Sequence, residues 1–384
     1  MEKTYGTLTP EHQLIIICSR GVLSEEEKNI VTATLNSPNL DWSEILYQAL
    51  FHRSLNLLYY HLKNMKILNL VEEEILKLMH HQSSVYRLRN EGYKTELLSL
   101  GSNLINSGIK FAILKGSYLA YNAYPVMESR TFNDIDLLVK LEDGKEVLNL
   151  VTSDGYIQGD YDRNTFEIKP ATRKQMVMHQ MTTHEFLECL KPSDNPFIPL
   201  LQLDLNHSIL WKGNCPYNVN SAELVDRAVL TDIDGKAVWV LTPEDLLLQL
   251  SCHLYKEAVM INWIHDLRDL KLYKFADFVV YLDKFKEDVD WEVFVERVQG
   301  YGLAKVVYFA FYYVDYLYNV IPPEVMRTLK PDDTAYLNEY AIETEQPRTW
   351  TMGFYERLFN SKHRLEIDKT TLTAYNEFWA QRKQ

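Results

Sequence analysis

The 384-residue chain is sparing with cysteine, glycine and proline, and it has no long apolar run. Cys18, Cys189, Cys215 and Cys252 are scattered without a CxxC pair, which argues against a disulfide framework and against a cysteine-rich zinc site. With 14 glycines and 13 prolines, collagen-like and low-complexity chains are excluded. Nothing approaches the roughly 20 apolar residues that a membrane span requires. Near the N-terminus only Leu14 to Cys18 forms an apolar run, too short for the core of a secretion signal. The expectation is a soluble, cytoplasmic protein without a membrane partner. Positive charge is in deficit, with 40 basic against 53 acidic side chains and a formal net charge of −13. Long-range attraction to duplex nucleic acid is therefore unfavourable, although a local basic pocket is compatible with it. What remains is an ordinary globular composition, 46% hydrophobic and 24% charged, on a chain long enough for two or three domains.

The hydrophobic pattern divides the chain into three regions. Over residues 1–99 the period is helical: Leu46, Leu50, Leu55, Leu58, Tyr59 and Leu62 recur at three- and four-residue steps. Asp41-Trp42-Ser43-Glu44 has the form of a helix start, and a further helical run covers Glu72 to Leu98. Residues 100–240 carry short β-prone or alternating runs at Lys110 to Leu114, Ile135 to Lys140, Gln175 to Glu188 and Leu200 to Leu210. Turn-rich stretches separate them, and helical stretches follow the first two, as in an α/β or α+β domain. Over residues 241–384 the helical period returns. Thr242-Pro243-Glu244-Asp245 supplies an N-cap, a first-turn proline and first-turn acids. Of the 25 tyrosines, Tyr308, Tyr312, Tyr313 and Tyr316 fall at helical spacing and read as packing residues.

Chemistry concentrates in two stretches, Phe111-Ala-Ile-Leu-Lys-Gly-Ser117 and Arg130-Thr-Phe-Asn-Asp-Ile-Asp-Leu-Leu-Val139. The first reads as a buried strand ending at Lys115-Gly116-Ser117, with a helix starting over Tyr118 to Tyr121. Glycine lets a backbone approach a ligand, and the amides of a new helix with the Ser117 hydroxyl suit a phosphate. Alone, such a junction reads equally well as a turn. In the second stretch, Asp134 and Asp136 lie two apart on a strand, so both carboxylates share a face while Ile135 meets the core. Like charges this close are costly unless a cation neutralises them or one stays protonated. Two hard oxygen ligands with room for water and phosphate oxygens describe a Mg²⁺ site. A bare Asp-x-Asp is more commonly a solvated edge; the apolar Leu137-Leu138-Val139 and the upstream Gly116-Ser117 tip the reading toward the metal. Further on, Leu201, Leu203 and Leu205 alternate, which sets Gln202, Asp204 and Asn206 on one face. Asp204 joins the same centre if its strand neighbours the first.

An apolar strand ending in Gly-Ser, then Asp-x-Asp, then a lone Asp resembles the nucleotidyltransferase superfamily that includes DNA polymerase β. Within it, the chain is similar to an uncharacterised bacterial nucleotidyltransferase family. The similarity rests on Leu114-Lys115-Gly116, Tyr124-Pro125, Arg130 and Asp134 to Val139. Flanking stretches match as well: His52-Arg53-Ser54 through Tyr59, Thr242 to Leu246 through His253, and Leu267-Arg268-Asp269-Leu270. One departure is on the third strand, where the family often has Glu-x-His and this chain has Asp204-Leu205-Asn206-His207; Asp204 is the only acid there. The resemblance implies an α+β fold, a mixed sheet flanked by N- and C-terminal helical regions. It further implies one or two Mg²⁺ ions on Asp134, Asp136 and Asp204, and an NTP donor with its phosphates on Gly116 and Ser117. Lys115 and Arg130 are then candidate charge partners for phosphate, with Lys115 alternatively paired to an acid. The implied reaction moves a nucleotidyl group to a hydroxyl or phosphate of a small-molecule or peptide acceptor, by analogy in tailoring natural products or polysaccharides. The rivals are glycosyl transfer from a nucleotide-sugar to a phosphopeptide and a non-catalytic nucleotide-binding module. His179 and His184, on opposite faces of the expected strand before Asp204, make a poor zinc site. His207, His253 and Asp269 are weaker candidates for the pocket wall.

Overall fold

A computed structural model describes residues 8–212, 215–344, 346–367 and 373. Helices lead: α1 (Pro10–Ile17), α2 (Glu25–Leu35), α3 (Trp42–Phe51), α4 (Leu55–Asn64) and the long α5 (Glu73–Asn106). Local capping sets their starts. The Asp41 carboxylate accepts from the amides of Ser43 and Glu44, and Ser24 and Glu27 form a reciprocal capping box.

The middle of the chain alternates strand and helix: β1 (Phe111–Ile113), α6 (Lys115–Asn122), β2 (Ile135–Val139), α7 (Gly144–Ser153), β3 (Ile157–Asp162), β4 (Glu167–Pro170), α8 (Arg173–Thr182), β5 (Cys189–Pro192), β6 (Leu200–Asn206), α9 (Ser221–Arg227), β7 (Val229–Ile233) and β8 (Lys236–Val240). The eight strands form one mixed sheet in the order β4-β3-β5-β6-β2-β1-β8-β7, with β2–β6 and β1–β8 parallel and the other neighbours antiparallel. The fold is α+β, as the sequence pattern and the resemblance imply. Strands β1 and β2 are buried throughout, as continuous apolar runs at the centre of a covered sheet should be.

Thr242 caps α10 (Pro243–Val259) through the amide of Asp245, and α11 (Ile261–His265), α12 (Leu272–Phe285), α13 (Trp291–Gly300) and α14 (Ala304–Tyr318) follow. Tyr308 and Tyr313 are buried among the helices, while Tyr316 is exposed and stacks near Phe354 and Tyr355. Among the described residues no helix is long and apolar enough to cross a membrane.

Two sequence expectations are corrected. The stretch Gln175 to Glu188 is not a strand: residues 173–182 form α8, and only an isolated bridge from Glu185 to Asn206 precedes the strand that begins at Cys189. Thr172 and Gln175 make a capping box, which nucleates the helix, and Val177 and Met181 face solvent. A helix with no buried face leaves no helical burial period to read. The helix expected over Tyr118 to Tyr121 starts earlier, at Lys115, so Lys115 and Gly116 form its first turn rather than the strand's end.

Candidate active site

Register brings the acids together. On the parallel pair β2–β6, Asp136 is the Cα partner of Asp204, and Asp134 lies one residue before β2. All three line one pocket of about 750 Å³, together with Gly116, Lys115, Gln202, Asn206, Glu185 and Glu188. The alternation of β6 does the sorting: Leu201, Leu203 and Leu205 are buried in the core, while Gln202, Asp204 and Asn206 face the pocket. Asn206 donates to Asp136 Oδ1 at 3.5 Å, and Gln202 donates to Glu188 at 2.8 Å.

The loop that delivers Asp134 is anchored by the N-terminal helices. Asn56 of α4 donates to the Glu128 carbonyl, and Asn90 of α5 donates to the carbonyls of Met127 and Arg130. Tyr93 donates to the Asn133 carbonyl at 2.6 Å. The helical flank therefore fixes the approach to the first carboxylate.

The floor is electrostatically strained toward negative charge. Burial, with Asp134 and Glu185 nearby, raises Asp136 to about 6 against the lowering effect of Lys115. Asp204 is pushed well above the carboxylate range by burial and by Asp134, Asp136, Glu185 and Glu188. Lys115 lies 3.3 Å from Asp136 Oδ1; burial opposes its charge, but Asp136, Asp134, Glu257 and Asp204 hold it firmly protonated. Its φ of 24° is outside the usual regions, and Arg53 and Leu267, also on the pocket wall, have φ of 57° and 54°. Three left-handed non-glycine residues around one cavity are the local strain that tends to gather at binding sites.

Not every expected residue lands as the sequence suggests. Ser117 is buried, is not among the pocket-lining residues, and its hydroxyl has no hydrogen-bond partner among the described residues. Arg130 lines the pocket, but its guanidinium is already committed: Nε and a terminal nitrogen bond Asp277 of α12 at 2.7 and 2.8 Å, and the Tyr124 hydroxyl donates to the same carboxylate. Tyr124 and Arg130 thus share Asp277 as a structural partner, which engages the guanidinium named above as a candidate for phosphate. His184 lines the pocket and accepts from Lys256 at 3.3 Å, while His179 sits on α8, 3.7 Å from Glu185. His207 packs edge-on against Phe186 and is not among the lining residues. His253 does line the pocket; burial and the charges of Lys115 and Lys256 keep it neutral. Asp269 lies outside the pocket wall, buried and bonded to His363 at 2.9 Å.

Sequence reasoning missed Glu185, Glu188, Lys256, Trp263, Lys271 and Tyr273, all on the wall. Burial would raise Glu185, but His179, His184 and Lys256 bring it down to about 2, so it adds a permanent negative charge beside Asp136. For Glu185 and Glu188 the available signal was the Glu and His density of residues 175–188.

A family model described as an uncharacterised nucleotidyltransferase matches residues 38–319. The chain belongs to this family. The match runs from the N-terminal helices that anchor the Asp134 loop to the end of α14, so sheet, anchor and pocket lie inside it. No curated protein matches the chain.

The donor set is compatible with a hard divalent cation: carboxylate oxygens on one face, crowded enough that two of them have raised proton affinities. Among the described residues no group of three or more His, Cys, Asp or Glu side chains is placed to hold a metal ion.

Proposed function

We propose that this chain transfers a nucleotidyl group from an NTP to a hydroxyl or phosphate of a small-molecule or peptide acceptor, with Mg²⁺ held by Asp134, Asp136 and Asp204. The observation that carries this reading is the register Asp136↔Asp204, with Asp134 two residues earlier and the first turn of α6 on the same pocket. Mg²⁺ bound there supplies charge neutralisation for the phosphates and the leaving pyrophosphate. Gly116 offers a first-turn position where amides lack intrahelical acceptors and a side chain would close on Phe132 at 3.2 Å. Lys115, released from Asp136 when a cation takes that carboxylate, becomes a phosphate partner. Asp204, whose proton affinity is raised by burial and then by its acidic neighbours, is poised to accept the proton of the attacking hydroxyl. Arg130 contributes by holding α12 against the Asp134 loop through Asp277, not by touching substrate.

The test is pyrophosphate release from each of the four NTPs with Mg²⁺, with mass spectrometry of the adduct. Asp134→Ala and Asp136→Ala should each lose on the order of a thousandfold in rate while retaining the fold. Undiminished turnover in both variants overturns the reading in favour of a binding module. A hexose adduct in place of a nucleoside monophosphate makes the donor a nucleotide-sugar.

A further inference from the structure

Beside the carboxylate floor, the same pocket has a second wall built from segments far apart in the chain. Arg53 follows α3, Trp263 lies on α11, Arg268 and Lys271 lie in the α11–α12 connection, and Tyr273 lies in the first turn of α12. The Arg268 guanidinium lies 4.4 Å from the centre of the Trp263 ring, Arg53 lies 5.1 Å from the Tyr273 ring, and the Lys271 ammonium sits 3.1 Å over Phe51. Among the described residues none of these three cations is within ion-pair distance of a carboxylate. The one acid on this wall, Asp266, is exposed and bonded to His265 at 3.1 Å.

The wall is preorganised. Lys274, buried and ion-paired with Glu257, donates to the carbonyls of both Arg268 and Asp269. The amide of Arg268 bonds the Trp263 carbonyl at 2.8 Å, and the amide of Leu272 bonds His52 Nδ1 at 3.1 Å. Asp269 is fixed by His363, and Leu267 turns the chain in the left-handed region. The chain thus holds three basic side chains in a fixed frame, and burial with the neighbouring cations disfavours charge on Lys271 until an anion arrives.

From this we infer that the wall of Arg53, Arg268 and Lys271 is a subsite for a phosphate dianion carried by the acceptor, distinct from the triphosphate site beside Asp134 and Asp136. A phosphate monoester carries up to two negative charges, which the guanidinium groups of Arg53 and Arg268 and, once protonated, Lys271 can meet. Two guanidinium forks suit its oxygens, and the rings of Trp263 and Tyr273 give an adjoining flat apolar surface. The donor's own phosphates are the competing source. Lys271 responds to burial and then to Lys274, Arg53, Asp269 and Arg268. Burial and those cations bring Lys271 down to about 7, so an anion that re-protonates it will draw in a proton. The charged and titratable groups facing Lys271 are Arg53 and His52 after α3, Arg268 and Asp269 in its own connection, and Lys274 one turn along.

The inference rests on the donor reading above, and the experiment keeps the two separable. Inorganic phosphate is titrated calorimetrically into the full chain with Mg²⁺, with and without a saturating α,β-methylene NTP, at pH 7.5 (about half a unit above Lys271) in two buffers of different ionisation enthalpy. Phosphate should bind with the nucleotide in place and take up protons. Arg268→Gln, Arg53→Gln and Lys271→Gln should each weaken it about tenfold, the loss expected for one charge-assisted hydrogen bond. Asp134→Asn should leave phosphate binding within about twofold while weakening the nucleotide, since it touches only the floor. All three wall residues are exposed or half-buried, and a thermal melt verifies each fold; Arg268→Lys, retaining charge without the fork, should recover part of the loss. Phosphate affinity unchanged in all three wall variants, or nucleotide affinity falling as far as phosphate affinity in them, overturns the inference. Nucleotide binding indifferent to Asp134→Asn overturns the donor reading instead.

Discussion

The two faces of the pocket are built on opposite principles. The floor gathers acids by strand geometry: Asp134, Asp136 and Asp204 come from two neighbouring strands, and pleat and register leave them no other place to go. The wall gathers bases by tertiary packing: Arg53, Arg268 and Lys271 meet only because α3, α11 and α12 pack, and buried hydrogen bonds to Lys274 and His52 hold the connection still. Each face concentrates one sign of charge at an energetic cost in the free protein. The contrast teaches that a chain with net charge −13 can still hold a focused positive surface, provided it is local and enclosed.

The largest test of that contrast falls on the floor. Asp134→Ala or Asp136→Ala should reduce nucleotidyl transfer on the order of a thousandfold in a pyrophosphate-release assay, whereas wall variants should act mainly through the acceptor's KM. Comparable kcat losses from both faces would make them one site.

Next in size is Arg130. Arg130→Met should destabilise the fold by about 3–5 kcal/mol in urea unfolding, because it strands the buried Asp277 carboxylate and removes a bridge between the Asp134 loop and α12. Nucleotide affinity of the folded fraction should stay close to wild type. A stable Arg130→Met protein with weakened NTP binding would return this side chain to the phosphate role that its position before Asp134 suggested.

The floor should also declare itself in the pH dependence of stability. Asp136 binds its proton more tightly in the folded chain, at about 6, than at its ordinary value of 3.8. Its contribution is therefore fully present below about pH 4 and lost as pH rises to about 6, worth about 3 kcal/mol by linkage. Asp204, raised in the same direction, extends the loss to higher pH. In EDTA, Asp136→Asn should remove this decline, and Mg²⁺ should stabilise the wild type more at pH 7 than at pH 5. Parallel urea midpoints for wild type and variant across that range would contradict the picture.

The same contrast explains what could be read from the sequence. Strand alternation is local, so the Leu201–Leu203–Leu205 pattern and the Asp134–Asp136 spacing were enough to aim three carboxylates at one face. The sheet's mixed character followed from the family resemblance, but the β7–β8 hairpin went unread despite Asp234-Gly235, whose φ values of 51° and 78° are those of a tight primed turn. The residues of α8 read as a strand because a solvent-facing helix has no burial period. Arg130 reads as a phosphate candidate because Asp277, which its guanidinium engages, is 147 residues away and carries no local mark. The wall was illegible for that reason: Arg53 and Arg268 stand in stretches shared with the family, yet nothing in their neighbours says that they meet.

The finest test concerns the rings beneath the cations. If Trp263 merely fills space, Trp263→Leu should not change phosphate affinity, since the methyl groups of leucine still exclude water. If its face steadies the Arg268 guanidinium 4.4 Å away, losing it releases a flexible side chain and a cation–π attraction of about 0.5–1 kcal/mol. Phosphate binding should then weaken about threefold, with nucleotide affinity unmoved if the nucleotide occupies the carboxylate floor. Trp263→Phe, which keeps an aromatic face, should restore most of the loss. Equal behaviour of the leucine and phenylalanine variants in the calorimeter would mean that the frame set by Lys274 and Leu267 alone positions Arg268.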